Sequence, residues 1–183
     1  TFGRMAQRGY VVSTLKATID GNVAVRDSDT LNFNLLACPG YVETLQNLVG
    51  LNTDRGLTAF VVGDTPFRLK PNATELKAWG LNSNGAFDNG DKGAVSYNEY
   101  MAMFYPSGYT NDLSGNYVVV PPSHMMLRTI ALSDQKSYPW FAPAGIRRGV
   151  VDNGTSVGYG DGQTGELKSA ALPQKLRGVM AAV

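Results

Sequence analysis

The sequence holds one cysteine and one histidine in 183 residues, and that scarcity removes whole classes of chemistry. A single Cys excludes an internal disulfide framework, and one Cys with one His cannot build a Cys/His zinc pattern. Any Ser/His/Asp or Cys/His catalytic set would have to use His124. Charge of one sign is equally short: sixteen Lys and Arg against fifteen Asp and Glu leave a formal +1. That is not the basic excess or stripe of a nucleic-acid binder, and the one local basic cluster is Arg147 with Arg148. Long apolar runs are missing too, since none approaches the roughly 20 residues of a membrane span. The expectation is a soluble protein of a reducing compartment, with no cofactor, no metal, no nucleic-acid partner and no membrane partner.

What is there suffices for one domain with a proper core. Residues 1–9 show no clear period. The run from Tyr10 to Ala17 is β-branched and alternating, and Asp20-Gly21 separates it from Val23–Arg26, which predicts a hairpin appendage over 10–26. Leu31 to Cys38 reads as a strand ended by Pro39-Gly40. From Tyr41 to Leu51 the apolar positions Val42, Leu45, Leu48, Val49 and Leu51 fall at helical spacing, and Thr58 to Val62 reads as a strand buried on both faces and closed by Gly63-Asp64-Thr65-Pro66. Strand, helix, strand with short links is a βαβ unit with two parallel strands.

Further on, a second helix is expected from Pro71 to Trp79, a surface excursion over 81–95, a strand from Tyr97 to Tyr105, a polar loop over 106–115 and a short strand from Asn116 to Val120. Pro121-Pro122-Ser123 opens a helix, with the Ser123 hydroxyl available for capping and an apolar stripe of Met126, Leu127, Ile130 and Ala131. A strand over 146–151, a glycine-rich link over 154–165 and a last helix complete the pattern. The fold class is therefore α/β: a layered domain with a small mixed sheet flanked by helices, with loop or hairpin insertions.

The most distinctive stretch is Ser137 to Gly149, SYPWFAPAGIRRG. Pro139 and Pro143 hold the backbone extended or turned while Trp140 and Phe141 present large rings. Taken alone, such a segment is read as a loop packed into the edge of the core.

Together with the residues leading into it, this stretch resembles the signature of contractile tail sheath proteins. The matching positions are Val120, Pro121, Pro122 and Ser123, then Arg128 and Asp134. Trp140, Ala142, Pro143, Ala144, Gly145, Arg148 and Gly149 follow. Three more segments resemble the family in the same order: LLACPGY (Leu35 to Tyr41), FVVGDTP (Phe60 to Pro66) and Met103-Phe104-Tyr105-Pro106. His124 and Met125 stand where the family has small residues, and Ser107 where it often has Trp. The resemblance implies a non-enzymatic structural subunit of the sheath around a phage tail tube. Many copies would form a helical array that contracts to drive the tube through the host envelope during genome delivery. Its partners would be other sheath subunits and the tail tube, and its location the virion after assembly in the host cytoplasm. The structural or interaction residues it points to are Pro121, Pro122, Ser123, Pro139, Trp140, Phe141, Ala142, Pro143, Ala144, Gly145, Arg147 and Arg148. The opening Thr1-Phe2-Gly3 without Met and the finish at Val183 within a helical pattern lead us to expect a single sheath-type domain over 1–183. It would be a piece of a longer chain that lacks the terminal arms and the tube-contacting domain, and so mainly monomeric.

Other chemistry was weighed beside this. Cys38, at the carboxyl end of a strand and just before a helix, could be the nucleophile of a cysteine-dependent α/β hydrolase, or a buried inert thiol. A carbohydrate- or host-binding module is a third reading. GYGDGQTG (Gly158 to Gly165) lacks the ending of a phosphate loop. Asp88 to Glu99 has calcium-loop spacing but Gly90 and Lys92 at ligand positions. Asp64 could ligate a metal or a ribose, and more ordinarily caps the next turn.

Overall fold

The computed structural model describes residues 2–66, 78–79, 98–143 and 155–156. The first element is helix α1, Phe2–Gly21, where the sequence predicts a hairpin over 10–26. The hairpin is not formed. The deciding signal is a second periodicity: Arg8, Val11, Val12, Leu15, Lys16 and Ile19 are the half-buried positions of α1, and they recur at helical spacing on one face. β-branched Val and Thr cost a helix only a few tenths of a kcal/mol each, so packing of that face overrides them. The hydroxyls of Thr14 and Thr18 donate to the carbonyls of Tyr10 and Thr14 within the helix. Asp20-Gly21 ends the helix instead of turning a hairpin. A short helix α2, Val23–Arg26, follows, with Asn22 as its N-cap accepting from the Val25 N–H.

The core is a three-stranded parallel sheet of β1 (Leu35–Leu36), β2 (Phe60–Asp64) and β3 (Met101–Phe104), in the order β1-β2-β3. Leu35 pairs with Phe60, Val61 with Met101 and Asp64 with Phe104. A 3₁₀ turn, Val42–Thr44, and helix α3, Leu45–Asp54, cross from β1 to β2, as the βαβ reading expects. Successive strand residues point to opposite faces, and the two faces collect two cores. Leu36, Val61, Met101 and Met103 pack with Leu48 and Leu51 of α3 and with Trp79 and Tyr105. Val62 and Phe104 pack with Met125 and Met126 of helix α4, Pro122–Lys136. Helices thus cover both faces of the sheet, which is the α/β layered class read from the sequence. Gly63, between the layers, has no room for a side chain: a Cβ would lie 2.8 Å from Leu45 Cδ2.

Two details of α4 differ from expectation. Its buried stripe is Met125, Met126, Thr129 and Ser133, rotated from the Met126, Leu127, Ile130, Ala131 reading; Ala131 is exposed. Ser133 is buried although polar, and its hydroxyl has no hydrogen-bond partner among the described residues. The N-cap is Pro121, which has no capping side chain, and Ser123 lies inside the first turn.

The stretch expected to be a loop over 106–115 is a strand and a turn. β4 (Gly108–Asn111) runs antiparallel to β5 (Tyr117–Val120), with Gly108 opposite Val120. The polar residues that suggest a loop are the turn itself. Asp112 accepts from the N–H groups of Ser114 and Asn116, both at 2.8 Å, and Gly115 takes φ 82°, which favours glycine. Thr155–Ser156, within the expected link, forms β6 on the other side of β4.

Arg55, after α3, is buried and holds the Val25–Leu31 segment in place. Its Nη1 donates to the carbonyls of Val25 and Asp27 at 2.6 and 3.1 Å, its Nη2 to that of Leu31 at 2.7 Å, and the guanidinium lies 3.8 Å from the Phe33 ring centroid. The helix expected over Pro71–Trp79 falls within the described residues only at Ala78 and Trp79, which are helical. The surface excursion over 81–95, the strand over 146–151 and the last helix lie outside the described residues.

Candidate functional site

The carboxyl ends of β2 and β3 and the N-terminus of α4 meet at one residue, Asp64, which is 3% exposed. Pro39-Gly40 turns the chain after β1, and Gly40 adopts φ 83°, a conformation that glycine alone reaches at little cost. That turn aims the Gly40 N–H at Asp64 Oδ2, 2.7 Å away. Pro121 and Pro122 then start α4 so that the Ser123 N–H donates to Asp64 Oδ1 at 2.6 Å and the Ser123 hydroxyl to Oδ2 at 2.9 Å. The carboxylate therefore caps a helix through Ser123, 59 residues away in sequence, satisfying one of the helix's orphan donors and favoured by its dipole. Next to it, the Thr65 hydroxyl and N–H donate to the Phe104 carbonyl at 3.0 and 3.3 Å, which ties the end of β2 to the Tyr105-Pro106 corner.

A second connection runs from the turn to α1. Arg8 donates from Nη2 to the Gly40 carbonyl at 2.9 Å, and forms a two-pronged ion pair with Glu43, Nε to Oε1 at 2.8 Å and Nη2 to Oε2 at 2.9 Å. Its guanidinium sits 5.1 Å from the Tyr41 ring centroid. The Glu43 hydrogen bond raises the Arg8 pKa. Gly40 is thus held from both sides of its peptide.

Electrostatically, Asp64 is under stress. Burial pushes its carboxyl above the ordinary carboxylate value, against the lowering effect of Gly40, Ser123 and the more distant His124. Its three hydrogen-bond donors are all neutral groups. With its hydrogen bonds made to Gly40 and Ser123, the carboxylate acts as a clasp between the β1 turn, β2 and α4. The reading of Asp64 as the cap of the next turn is right about capping and wrong about which element is capped.

The residues singled out in sequence separate into two groups at opposite ends of α4. Pro121, Pro122 and Ser123 belong to the junction, and Pro122 and Ser123 are buried. Pro139, Trp140, Phe141, Ala142 and Pro143 follow the C-terminus of α4; its 15 residues span about 22 Å. Trp140 is 78% exposed and stacks on Tyr138, with centroids 4.6 Å apart and planes 3° from parallel. The expected core plug is therefore a surface feature: the rings satisfy one another instead of entering the core. Ala144, Gly145, Arg147 and Arg148 lie outside the described residues. The Gly40 and Arg8–Glu43 contributions were missed. Gly40 carried a signal in its Pro-Gly dipeptide; Arg8 was concealed because residues 1–9 show no clear period by themselves.

Cys38 is half-buried against the α3-side core. The amide donors that follow it are occupied: Pro39 has none, the Gly40 N–H goes to Asp64, and the Tyr41 N–H goes to the Cys38 carbonyl at 3.2 Å. His124 is exposed on α4. Among the described residues no group of three or more His, Cys, Asp or Glu could hold a metal ion, and no helix is long and apolar enough to cross a membrane. Comparison with family models and with curated proteins gives no match for this chain.

Proposed function

We propose that this chain is part of a structural subunit of a contractile tail sheath, a rigid block working through its neighbours. The observation that carries the reading is convergence. Four segments resemble the sheath family: LLACPGY, FVVGDTP, Met103 to Pro106 and the Val120 to Ser123 lead-in. These same segments supply Gly40, Asp64, Thr65, Phe104 and Ser123 to a single buried junction. The exposed Tyr138–Trp140 stack supports the same reading, because aromatic rings standing in solvent are the usual anchors of protein interfaces.

In this reading, copies assemble as a helical array around the tail tube of a phage particle, and the array shortens on triggering without nucleotide hydrolysis. Work comes from repacked contacts between rigid bodies, of the order of 1–3 kcal/mol per coupled contact, summed over many subunits. The occupied amides after Cys38 count against the cysteine-hydrolase alternative, since an oxyanion formed there would have to find its donors on another segment. Negative-stain electron microscopy of the full-length gene product tests the proposal: striated tubes are expected. A full-length product that stays dispersed, together with hydrolase turnover lost on Cys38→Ala, would overturn it.

A further inference from the structure

The β4–β5 hairpin is an arm. Every residue from Asn111 to Val119 is exposed, and Leu113, Tyr117, Val118 and Val119 among them are large and apolar. β6 pairs with β4 only at Gly108 and Tyr109. Among the described residues the outer half of the arm therefore has β4 and β5 alone, and a two-stranded hairpin is marginal in water. Hydrogen-bond parity fixes which way the outer strand faces. The Asp112 N–H donates to the Asn116 carbonyl at 2.9 Å. Bonded and non-bonded pairs alternate along an antiparallel ladder, so Thr110–Val118 and Gly108–Val120 are bonded pairs, while Asn111–Tyr117 and Tyr109–Val119 are not. The N–H and C=O groups of Tyr117 and Val119 thus point away from β4, and no strand of the described residues meets them. The usual guards of an edge are missing: β5 reads Tyr-Val-Val-Val, with no charge, no proline and no bulge in its register.

We propose that the outer edge of β5 is a self-association surface, and that its occupant is β5 of a second copy, joined antiparallel about a two-fold axis at Val118. Tyr117 of each copy then faces Val119 of the other, and each such pair exchanges two hydrogen bonds. Two observations favour a second copy over an unrelated strand. The edge matches its own reverse, since Tyr117 and Val119 stand symmetrically about Val118, and a reversed copy fits with no outward group left over. Charge is complementary as well. The two-fold sets the turn of each copy beside the start of α4 in the other. The turn carries the exposed Asp112, and the start of α4 carries the exposed His124 and the positive end of the helix dipole. On one face Tyr117, already held edge-on to Tyr109 at 6.5 Å, gains a β-branched neighbour in Val119 of the other copy. On the other face the two Val118 side chains meet. The contact is small, so the association is weak: the dilute chain stays mainly monomeric and dimers form only on concentration. The surface does not depend on the sheath reading.

Sedimentation equilibrium over about 10 μM to 1 mM, the range in which a contact this small is populated, tests the proposal on the chain as it is. A monomer–dimer equilibrium without larger species is expected. Val118→Lys and Val118→Asp each place like charges opposite one another at the axis, and each alone should weaken association by about fivefold; an equimolar mixture of the two should associate at least as well as the wild type. Circular dichroism checks that both variants fold. Should either fail, amide exchange of the wild type decides. The Tyr117 and Val119 amides should slow several-fold between dilute and concentrated protein, while that of Val118, already bonded to β4, does not change. A monomer throughout, growth beyond the dimer, a mixture that associates no better than its components, or Tyr117 and Val119 amides already protected in dilute protein would each overturn the proposal.

Discussion

Replacing Asp64 by Asn is the sharpest test of the junction, because shape is kept and only hydrogen-bonding capacity changes. The side-chain amide has one acceptor oxygen and one NH₂ group, and both orientations fail. With the oxygen at the Oδ2 position, Gly40 and the Ser123 hydroxyl are satisfied, but the NH₂ faces the Ser123 N–H across 2.6 Å. With the amide turned, the NH₂ faces the Gly40 N–H across 2.7 Å. Either way a buried backbone donor loses a bond to a charged acceptor, worth about 1.5–3 kcal/mol, and is left unpaired at a further cost of about 1–3 kcal/mol. Removing the buried charge offsets part of this, since burial disfavours the ionised carboxyl. The net expectation is a loss of about 2–4 kcal/mol. For a chain of 183 residues that lowers Tm by about 5–15 °C, read by circular dichroism at pH 7. The pH dependence has a fixed sign. A carboxyl whose folded value lies above its unfolded one of 3.8 binds its proton more tightly in the fold. Its contribution therefore grows as pH falls through that interval, and the deficit of Asp64→Asn should widen in acid. A variant as stable as the wild type at pH 7, or a deficit that closes in acid, would refute the account of a carboxylate filled by three donors.

Three further outcomes are expected. Trp140→Ala should leave Tm within about 1 °C, since a ring 78% exposed leaves no cavity behind; a drop of several degrees would place the ring in a core. Arg55→Lys should cost about 2–4 kcal/mol in urea unfolding, because an ammonium cannot reach the three carbonyls that the guanidinium fork spans while lying flat on Phe33. Gly63→Ala should cost about 1–3 kcal/mol, as its new methyl meets Leu45 and Met103 at 2.8 and 3.3 Å, measured by the same unfolding curve.

The parallel sheet was legible because its strands are short apolar runs ended by Pro-Gly or Asp-Thr-Pro, with a helical period between the first two. Those signals are local. The α1 helix was concealed because Tyr10 to Ala17 looks like a strand over its eight residues and like a helix only over the twelve from Arg8 to Ile19. The β4–β5 hairpin was concealed for a related reason, since β4 is Gly-Tyr-Thr-Asn and its pairing, not its own hydrophobicity, makes it a strand. The junction was half legible. Asp64, Gly40 and Ser123 each stood in a recognised segment, but nothing in the linear order brings residues 24 and 59 positions apart onto one carboxylate.

The two tryptophans of the chain stand in opposite surroundings, Trp79 sealed in the α3-side core and Trp140 out in water against Tyr138. Their fluorescence is accordingly two signals in one spectrum, a blue component that dims to acrylamide only when the interior loosens and a red one that any docking neighbour shields. Cohesion and assembly can thus be followed separately in the same cuvette, with no label attached.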